Sequence, residues 1–505
     1  MRPVRRVLVA NRGEIALRVI RACHEEGLEA VAVYSAADRL SPHVRAADLA
    51  IAIGPAVPAE SYLNIPRLIE AARAAGADAV HPGYGFLAER AAFAEAVGEA
   101  GLVWIGPPAA AIRAMGDKTE ARRRMQAAGV PIVPGATVPL TETAVAAALA
   151  RELGYPVMVK AAAGGGGKGM RIVRAADQLE SALATAASEA GKAFGDPSVY
   201  LEKFIERPRH IEIQVLADEW RAVHLGEREC SVQRRHQKLV EEAPSVAVTP
   251  ELRARLGAAA VAAAGAVGYR GAGTCEFLLA TDGSFYFLEM NTRIQVEHPV
   301  TELVYGVDLV REQLRIARGE PMRVPPGERE PHGWAIECRI TSEDPANNFL
   351  PATGRIEYLR VPGGPGVRWD GGFEVGNDIT LHYDSLLGKL IVWGADRADA
   401  IRRMRRALDE LVLLGVPTNL PFHRRLLADD AFRRGEIDVQ FLDRRPDLLG
   451  GAEPAPDDAV ILAVTAALAE DEVRRARRPA QGPSAERVAA DGGGWLRAAR
   501  LEGLR

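Results

Sequence analysis

Two glutamates and an asparagine are, by type and spacing, the residues of this sequence best suited to chemistry. They lie in Thr274-Cys275-Glu276-Phe277-Leu278-Leu279-Ala280-Thr281-Asp282-Gly283-Ser284-Phe285-Tyr286-Phe287-Leu288-Glu289-Met290-Asn291. The Asp-Gly pair between two apolar runs predicts a two-residue hairpin turn. Counting outward from it pairs Thr281 with Ser284, Leu278 with Phe287 and Glu276 with Glu289. The two carboxylates would then stand about 4.5–5.5 Å apart at Cβ, which is destabilising unless a proton or a cation intervenes. Asn291 projects to the same side as Glu289. Two carboxylates and an amide oxygen suit a hard divalent cation, Mg²⁺ or Mn²⁺, shared with the phosphates of a nucleotide. The alternative, a solvated acid pair on a sheet face, is disfavoured by the apolar residues around both glutamates.

Three further strings carry usable groups. Val157 to Val173 holds Gly164-Gly165-Gly166-Gly167 between two strand-like runs, followed by Lys168 and Gly169. It lacks the G-x-x-x-x-G-K-[ST] pattern that opens a helix in a Walker loop. A glycine flap between strands allows close backbone approach to a triphosphate, with a plain flexible hairpin as the alternative. Lys160, at the end of the first apolar run, can stay charged there if a phosphate satisfies its ammonium, or it can snorkel to solvent. In Asn291-Thr292-Arg293-Ile294-Gln295-Val296-Glu297-His298-Pro299, an extended backbone would put Arg293, Gln295 and Glu297 on one side. That set could bind an oxyanion and supply a base, or form a salt-bridged loop. Gln233-Arg234-Arg235-His236-Gln237-Lys238 is a basic cluster that, alone, reads as a solvated face.

The elements that must position these groups follow from periodicity. Val4 to Ala10 reads as a buried strand, followed by Gly13 and a helix with Ile15, Val19, Ile20 and Cys23 on one face. Strands at Glu29–Tyr34, Leu49–Ile53, Ala79–His81 and Leu102–Ile105 alternate with helices near residues 65–76 and 89–100. The alternation predicts a doubly wound parallel α/β domain. A helix over about 110–129 and a Pro/Gly junction at Pro131 to Gly135 open a second domain. A third block, rich in glycine and short strands, runs from about 331 to 449 and includes an Arg-rich helix around Ile401 to Leu414. The last residues open on Pro454-Ala455-Pro456-Asp457-Asp458 and continue with Ile461, Val464 and Leu468 on one helical stripe. The expected division is thus 1–115, 116–330, 331–449 and an extension at 450–505.

Composition bounds the rest. The chain has 505 residues, 48% hydrophobic and 26% charged, which predicts several folded domains and excludes a small binding module or a disordered chain. Sixty-three Lys and Arg against 67 Asp and Glu give a formal charge of −4, with no global field for nucleic acid or an anionic membrane. Cys23, Cys230, Cys275 and Cys338 form no C-x-x-C pair, which predicts reduced thiols in a cytoplasmic protein. The basic start is followed by too short an apolar run for an export signal, and no stretch approaches a membrane span.

Taken together, the strings closely resemble the biotin carboxylase component of the biotin-dependent carboxylases, within the ATP-grasp superfamily. The likeness runs from about Arg5 to Leu449. It rests on ANRGEIALR at Ala10–Arg18, HPGYGFLAE at His81–Glu89, MGDK ending at Lys118, the glycine segment, RHIEIQ at Arg209–Gln214, QRRHQK, and EMNTRIQVEHPVTE at Glu289–Glu302. The resemblance implies an N-terminal α/β domain, a central ATP-grasp domain and a C-terminal biotin carboxylase domain. It implies ATP held by Lys118, Lys160, Gly166, Gly167, Glu202, Lys203, Phe204, Ile205, His210, Gln233 and His236, together with Glu276 and Glu289. Mg²⁺ or Mn²⁺ would bind at Glu276, Glu289 and Asn291. Bicarbonate would bind at Lys238, Arg293, Gln295 and Val296, with Glu297 as base. Arg339, in ECRI at Glu337–Ile340, would stabilise the biotin enolate beside Tyr84 and Gly85.

The resemblance also implies partners. No Met-Lys-Met context for biotin attachment occurs, so biotin is expected on a separate carrier protein, with a separate carboxyltransferase and a homodimeric assembly. The carboxyl acceptor stays open among acetyl-CoA, propionyl-CoA and pyruvate. Ala163 stands where many members carry glycine, and Gln440 where some carry histidine. The extension beyond Leu449 is read as a partner-docking element, or as a tail with one helix. Two rivals are another ATP-grasp ligase and a non-catalytic nucleotide sensor. Arg339 and RIQVEHP argue against the first, and the complete set of metal and base residues against the second.

Overall fold

The computed structural model of the protein describes residues 3–136, 140, 142–161, 170–327, 329–450 and positions 465, 468 and 470. By internal contacts it divides into two units, Met1–Gly450 and Gly451–Arg505. The glycine flap with Ala163, Gly166 and Gly167, and Ile461 and Val464 of the C-terminal stripe, lie outside the described residues.

The chain opens with β1 (Arg6–Val9), α1 (Gly13–Glu25), β2 (Glu29–Ser35), β3 (Leu49–Gly54), α2 (Ile65–Ala74), β4 (Ala79–His81), α3 (Ala91–Glu99) and β5 (Val103–Trp104). The strands form one parallel sheet in the order β3-β2-β1-β4-β5. Along β1, Val7 and Val9 pack into one core with Ile15, Val19, Ile20 and Cys23 of α1, while Leu8 packs into another with Leu68, Phe93 and Val97 of α2 and α3. Burial on both faces is why the inner strands β1, β2 and β4 read as continuous apolar runs, and the helices packed on either side make the sheet doubly wound, as expected. Asn11, just past β1, donates to the carbonyls of Pro82 (2.8 Å) and Tyr84 (2.7 Å), so the strand end holds the loop after β4. A Cβ at Gly83 would approach the Asn11 amide to 2.9 Å, which keeps that position glycine.

The helix expected over 110–129 is two helices, α4 (Ala109–Gly116) and α5 (Lys118–Ala127). Asp117 adopts an extended conformation between them, and its carboxylate accepts from the amides of Thr119 and Glu120, both at 2.9 Å. This N-cap satisfies donors that a continuous helix would have used internally and starts a new helix at Lys118. A small antiparallel sheet follows, with β6 (Val157–Ala161) between β7 (Arg171–Val173) and β8 (Val199–Lys203).

The large sheet has eight strands. In chain order these are β9 (Arg209–Ala217), β10 (Ala222–Arg234), β11 (Gln237–Ala243), β12 (Gly271–Leu279), β13 (Phe285–Asn291), β14 (Trp334–Thr341), β15 (Val367–Gly371) and β16 (Leu386–Gly394). They are arranged β13-β12-β9-β10-β11-β14-β16-β15. The short helix α6 (His298–Tyr305) follows β13. The Arg-rich helix, α7, spans Arg397–Glu410 and begins earlier than expected because Asp396 caps it through the amide of Asp399; Val412–Leu414 is a strand.

The β12–β13 hairpin corrects the predicted register. Leu278 pairs with Tyr286 rather than Phe287. The turn has three residues, not two: the Ala280 amide donates to the Ser284 carbonyl at 2.8 Å, and Gly283 takes φ 82°, the left-handed position such loops require. A register shift between Phe277↔Phe287 and Glu276↔Glu289 then leaves Leu288 unpaired as a bulge. The two offsets cancel, so Glu276 does stand opposite Glu289.

Candidate active site

One cavity of about 1220 Å³ gathers most of the residues singled out above. Lys118, Lys160, Glu202, His210, Gln233 and His236 line one stretch, and Glu276, Glu289 and Asn291 the next. Lys238, Arg293, Gln295, Val296 and Glu297 follow, with Tyr84, Gly85 and Arg339 beyond. The side chains of Lys203, Phe204 and Ile205 are not part of the lining. On β8, Glu202 faces the cavity and Lys203 alternates away, its Nζ donating to the Gly154 carbonyl at 2.8 Å.

At one end of the cavity, α5 begins with Lys118, and β6 presents Lys160 beside Glu202, with which it forms an ion pair. Arg122 approaches the other Glu202 oxygen at 3.3 Å. Burial lowers the Lys118 proton affinity, and the neighbouring Glu289 offsets part of that. Lys118, Lys160 and Arg122, set against Glu202 and Glu289, leave cationic character for phosphate. His236 sits in a two-residue turn between β10 and β11, where Arg235 and His236 both have positive φ, 50° and 64°. Such a left-handed pair in non-glycine residues is strained, and its presence at the cavity rim marks a constrained position.

The centre is an ionic cluster around Lys238. Its ammonium donates to Glu276 at 3.0 Å and to Glu297 at 2.8 Å, and also pairs with Glu212. Burial opposes a charged lysine, but three carboxylates outweigh it and hold the proton far above the usual range. Against burial, Lys238 and His210 hold Glu276 well below the usual carboxylate range. His210, whose Nε2 lies 2.9 Å from Glu276, is pushed up to about 9; burial disfavours its charge, and Glu276 and Glu212 more than compensate.

Glu289 behaves differently. Burial and the adjacent Glu276 charge raise its proton affinity, with Lys118 only partly offsetting them. Asn291 reaches both acids, with Nδ2 3.2 Å from Glu276 and 3.5 Å from Glu289. Paired carboxylates with one destabilised in its ionised form fit a divalent cation, which would relieve the repulsion that raises Glu289. The Asn291 oxygen accepts from Arg293 Nη2 at 2.6 Å, so the amide would have to turn over to join them as a ligand.

Residues 292–297 form a loop of bends and turns, the second of the two alternatives the sequence left open, and the segment is tied at several points. The Thr292 amide and Arg293 Nε both donate to Glu89 at 2.9 Å. The Gln295 carbonyl meets His298 Nδ1 at 2.7 Å, and the Val296 carbonyl accepts from the buried Lys389 at 2.8 Å. Arg293, Gln295 and Glu297 nonetheless all reach the cavity. Glu297 accepts from Lys238 and, at 3.0 Å, from Arg339. Burial would raise it, but Lys238, Arg339 and Arg228 hold it at about 2, so it is ionised and able to accept a proton. Arg339 is aimed by Glu241 on the adjacent strand, its Nε donating to that carboxylate at 2.6 Å.

Sequence reasoning missed the groups that orient these residues: Glu89, Glu212, Arg228, Glu241 and Lys389. A signal existed for Glu212, since strand alternation puts it on the His210 face of β9, and on the sheet it pairs with Glu276. Lys389 and Glu241 meet their partners only through the fold, across more than 90 residues in each case.

Three family models match the chain: the biotin carboxylase N-terminal domain at residues 3–112, the carbamoyl-phosphate synthase L chain ATP-binding domain at 117–324, and the biotin carboxylase C-terminal domain at 337–444. The biotin carboxylase of a Nostoc species is 54% identical over 438 residues, covering 86% of this chain and 98% of the relative. The biotin carboxylase of Haemophilus influenzae is 52% identical over 442 residues, covering 87% of this chain and 98% of the relative. Among solved structures, the biotin carboxylase domain dimer of Hydrogenobacter thermophilus 2-oxoglutarate carboxylase, in complex with MgADP, ADP and bicarbonate, matches with TM-score 0.84 and 48% identity over 90% of this chain and all of that one.

Proposed function

We propose, for a chain that belongs to the biotin carboxylase family, that this cavity carboxylates biotin with bicarbonate and ATP, releasing ADP and phosphate. The observation that carries the reading is Glu297: an ionised carboxylate held between Lys238 and Arg339, one lysine away from the Glu276–Glu289 pair. An anion-binding base is thus placed directly beside a site for metal and phosphate.

ATP lies against Lys118, Lys160, Glu202 and His210, with Gln233 and His236 at the rim; the main chain of residues 202–205, at and just past the end of β8, and Gly166 and Gly167 complete its set of contacts. Glu276, Glu289 and Asn291 hold Mg²⁺, or Mn²⁺, which neutralises phosphate charge when bound. Lys238, Arg293, Gln295 and Val296 hold bicarbonate. A second anion there raises the proton affinity of Glu297 from its low resting value, so the carboxylate takes the bicarbonate proton as the oxyanion attacks the γ-phosphorus. The resulting carboxyphosphate gives CO₂ and phosphate, and phosphate takes the N1 proton of biotin. Arg339 stabilises the enolate, with Tyr84 and Gly85 beside the ring. Positioning and charge neutralisation supply the catalysis, as in phosphoryl transfer generally.

The chain is read as three domains, 1–115, 116–330 and 331–449, with an extension at 450–505 that docks a partner. Biotin arrives on a separate carrier protein and the carboxyl group leaves through a separate carboxyltransferase of an acyl-CoA or pyruvate carboxylase. A homodimer in the cytoplasm is the working assembly. The four buried, unbridged cysteines support a reducing compartment. Among the described residues no helix is long and apolar enough to cross a membrane.

The test is ADP release by the purified chain with Mg²⁺-ATP, with and without bicarbonate and free biotin. Release that requires bicarbonate and is accelerated by biotin is expected. Release indifferent to both would move the assignment to another ligase, and none at all to a nucleotide sensor.

A further inference from the structure

Arg228, on β10, has a fully buried side chain and does not line the cavity. Each of its five N–H groups has a partner. Nε donates to Glu212 at 3.1 Å, Nη1 to Gln214 at 2.6 Å and Thr301 at 2.9 Å, and Nη2 to Thr274 at 2.9 Å and Gln295 at 2.6 Å. The partners come from β9, β12, α6 and the 292–297 loop, so one planar group ties four elements together behind the site.

The contact with Gln295 has a chemical consequence. A glutamine amide can turn either its oxygen or its NH₂ toward a neighbour, but guanidinium only donates. Arg228 therefore takes Oε1, and the NH₂ end is left facing Glu276, 2.8 Å from its Oε1. That end carries two hydrogens, and Glu276 accepts one, so the amide offers a donor to the cavity that Gln295 lines. Turned the other way, Oε1 would face an anion and the Glu276 carboxylate.

We propose that Arg228 is a positioning residue that never touches substrate and sets the affinity for bicarbonate by fixing the donor end of the Gln295 amide toward the anion. This rests on the bicarbonate reading given above. Glu212 is held by the same guanidinium, but it also pairs with Lys238 and is therefore anchored independently.

The test is a double-mutant cycle on the full chain, reading KM for bicarbonate and KM for ATP from ADP release, with thermal unfolding alongside. Arg228→Lys keeps a positive charge but cannot serve five partners in a plane. A rise of about ten-fold in KM for bicarbonate is expected, comparable to the loss of one charge-assisted hydrogen bond. KM for ATP should change less than about two-fold on the same scale. In a Gln295→Ala background, Arg228→Lys should add little further to KM for bicarbonate. Additive effects, or equal rises in both constants, would make Arg228 a purely structural residue and overturn the proposal. If Arg228→Lys does not fold, Thr274→Val removes one anchor of the guanidinium at nearly constant shape. It should raise KM for bicarbonate by a smaller factor without changing KM for ATP, and an unchanged constant would again overturn the proposal. Wild-type turnover that ignores bicarbonate would instead defeat the underlying functional reading, an outcome visible before any variant is made.

Discussion

Glu297→Gln isolates the charge of the base with little change in shape. Glu297 titrates at about 2, where an ordinary glutamate titrates at 4.5. At about 1.4 kcal/mol per tenfold change in proton affinity, its surroundings favour the ionised form by about 3 kcal/mol. The amide can still accept from one of Lys238 and Arg339, but it points an N–H at the other. The variant should lose at most about 3 kcal/mol of stability at neutral pH. The sign with pH follows from the depressed titration: the stabilisation is complete above 4.5 and fades as pH falls toward about 2. The gap in unfolding free energy between wild type and variant should therefore be constant from about pH 8 to pH 5 and narrow below that. Turnover is the sharper readout. Loss of a general base costs about 10²- to 10⁴-fold, so bicarbonate-dependent ADP release should fall at least a hundredfold. ATP affinity should hold, because Glu297 is bonded to neither Lys118 nor Lys160. An unchanged rate would refute Glu297 as the base, and a stability gap that widens on acidification would refute the electrostatic account.

Three other expectations follow from the same cavity. Glu289→Gln should weaken Mg²⁺-ATP binding by roughly ten-fold, from loss of a charged ligand, in a calorimetric titration; equal affinity would undo the metal assignment. Arg339→Gln should diminish the acceleration of ADP release by biotin more than the release seen with bicarbonate alone, and a uniform loss would remove Arg339 from the biotin step. All four cysteines are buried, and burial pushes the Cys23 thiol up to about 12, so a thiol reagent should label them only when the protein is denatured; rapid labelling of the native chain would contradict the packing.

Much of this was legible because period and chemistry coincide. The alternation from Val4 to Ile105 is a local signal, and the sheet it predicts forms as read. The Glu276–Glu289 pairing was legible for a subtler reason: the longer turn and the Leu288 bulge shift the register in opposite senses, so a count wrong near the turn is right at the site. The break at Asp117 was hidden because capping overrides a helical pattern that is otherwise continuous. The groups that orient the catalytic residues were least legible. Arg228 is one arginine in a strand, and nothing local distinguishes it from a surface residue until five partners from distant segments close around it.

The eight-stranded sheet has a consequence for recombination. Its ladder runs from β11 into β14, with Val240 opposite Cys338 and Glu241 opposite Glu337, so it crosses the stretch between the two family models. Lys238 and Arg339 thereby sit on hydrogen-bonded neighbours, and their separation is fixed by strand spacing rather than by any linker. A chimera joined between residues 324 and 334 would inherit half of its active-site alignment from each parent. It would work only where both parents keep the same register across that seam, however well each half folds.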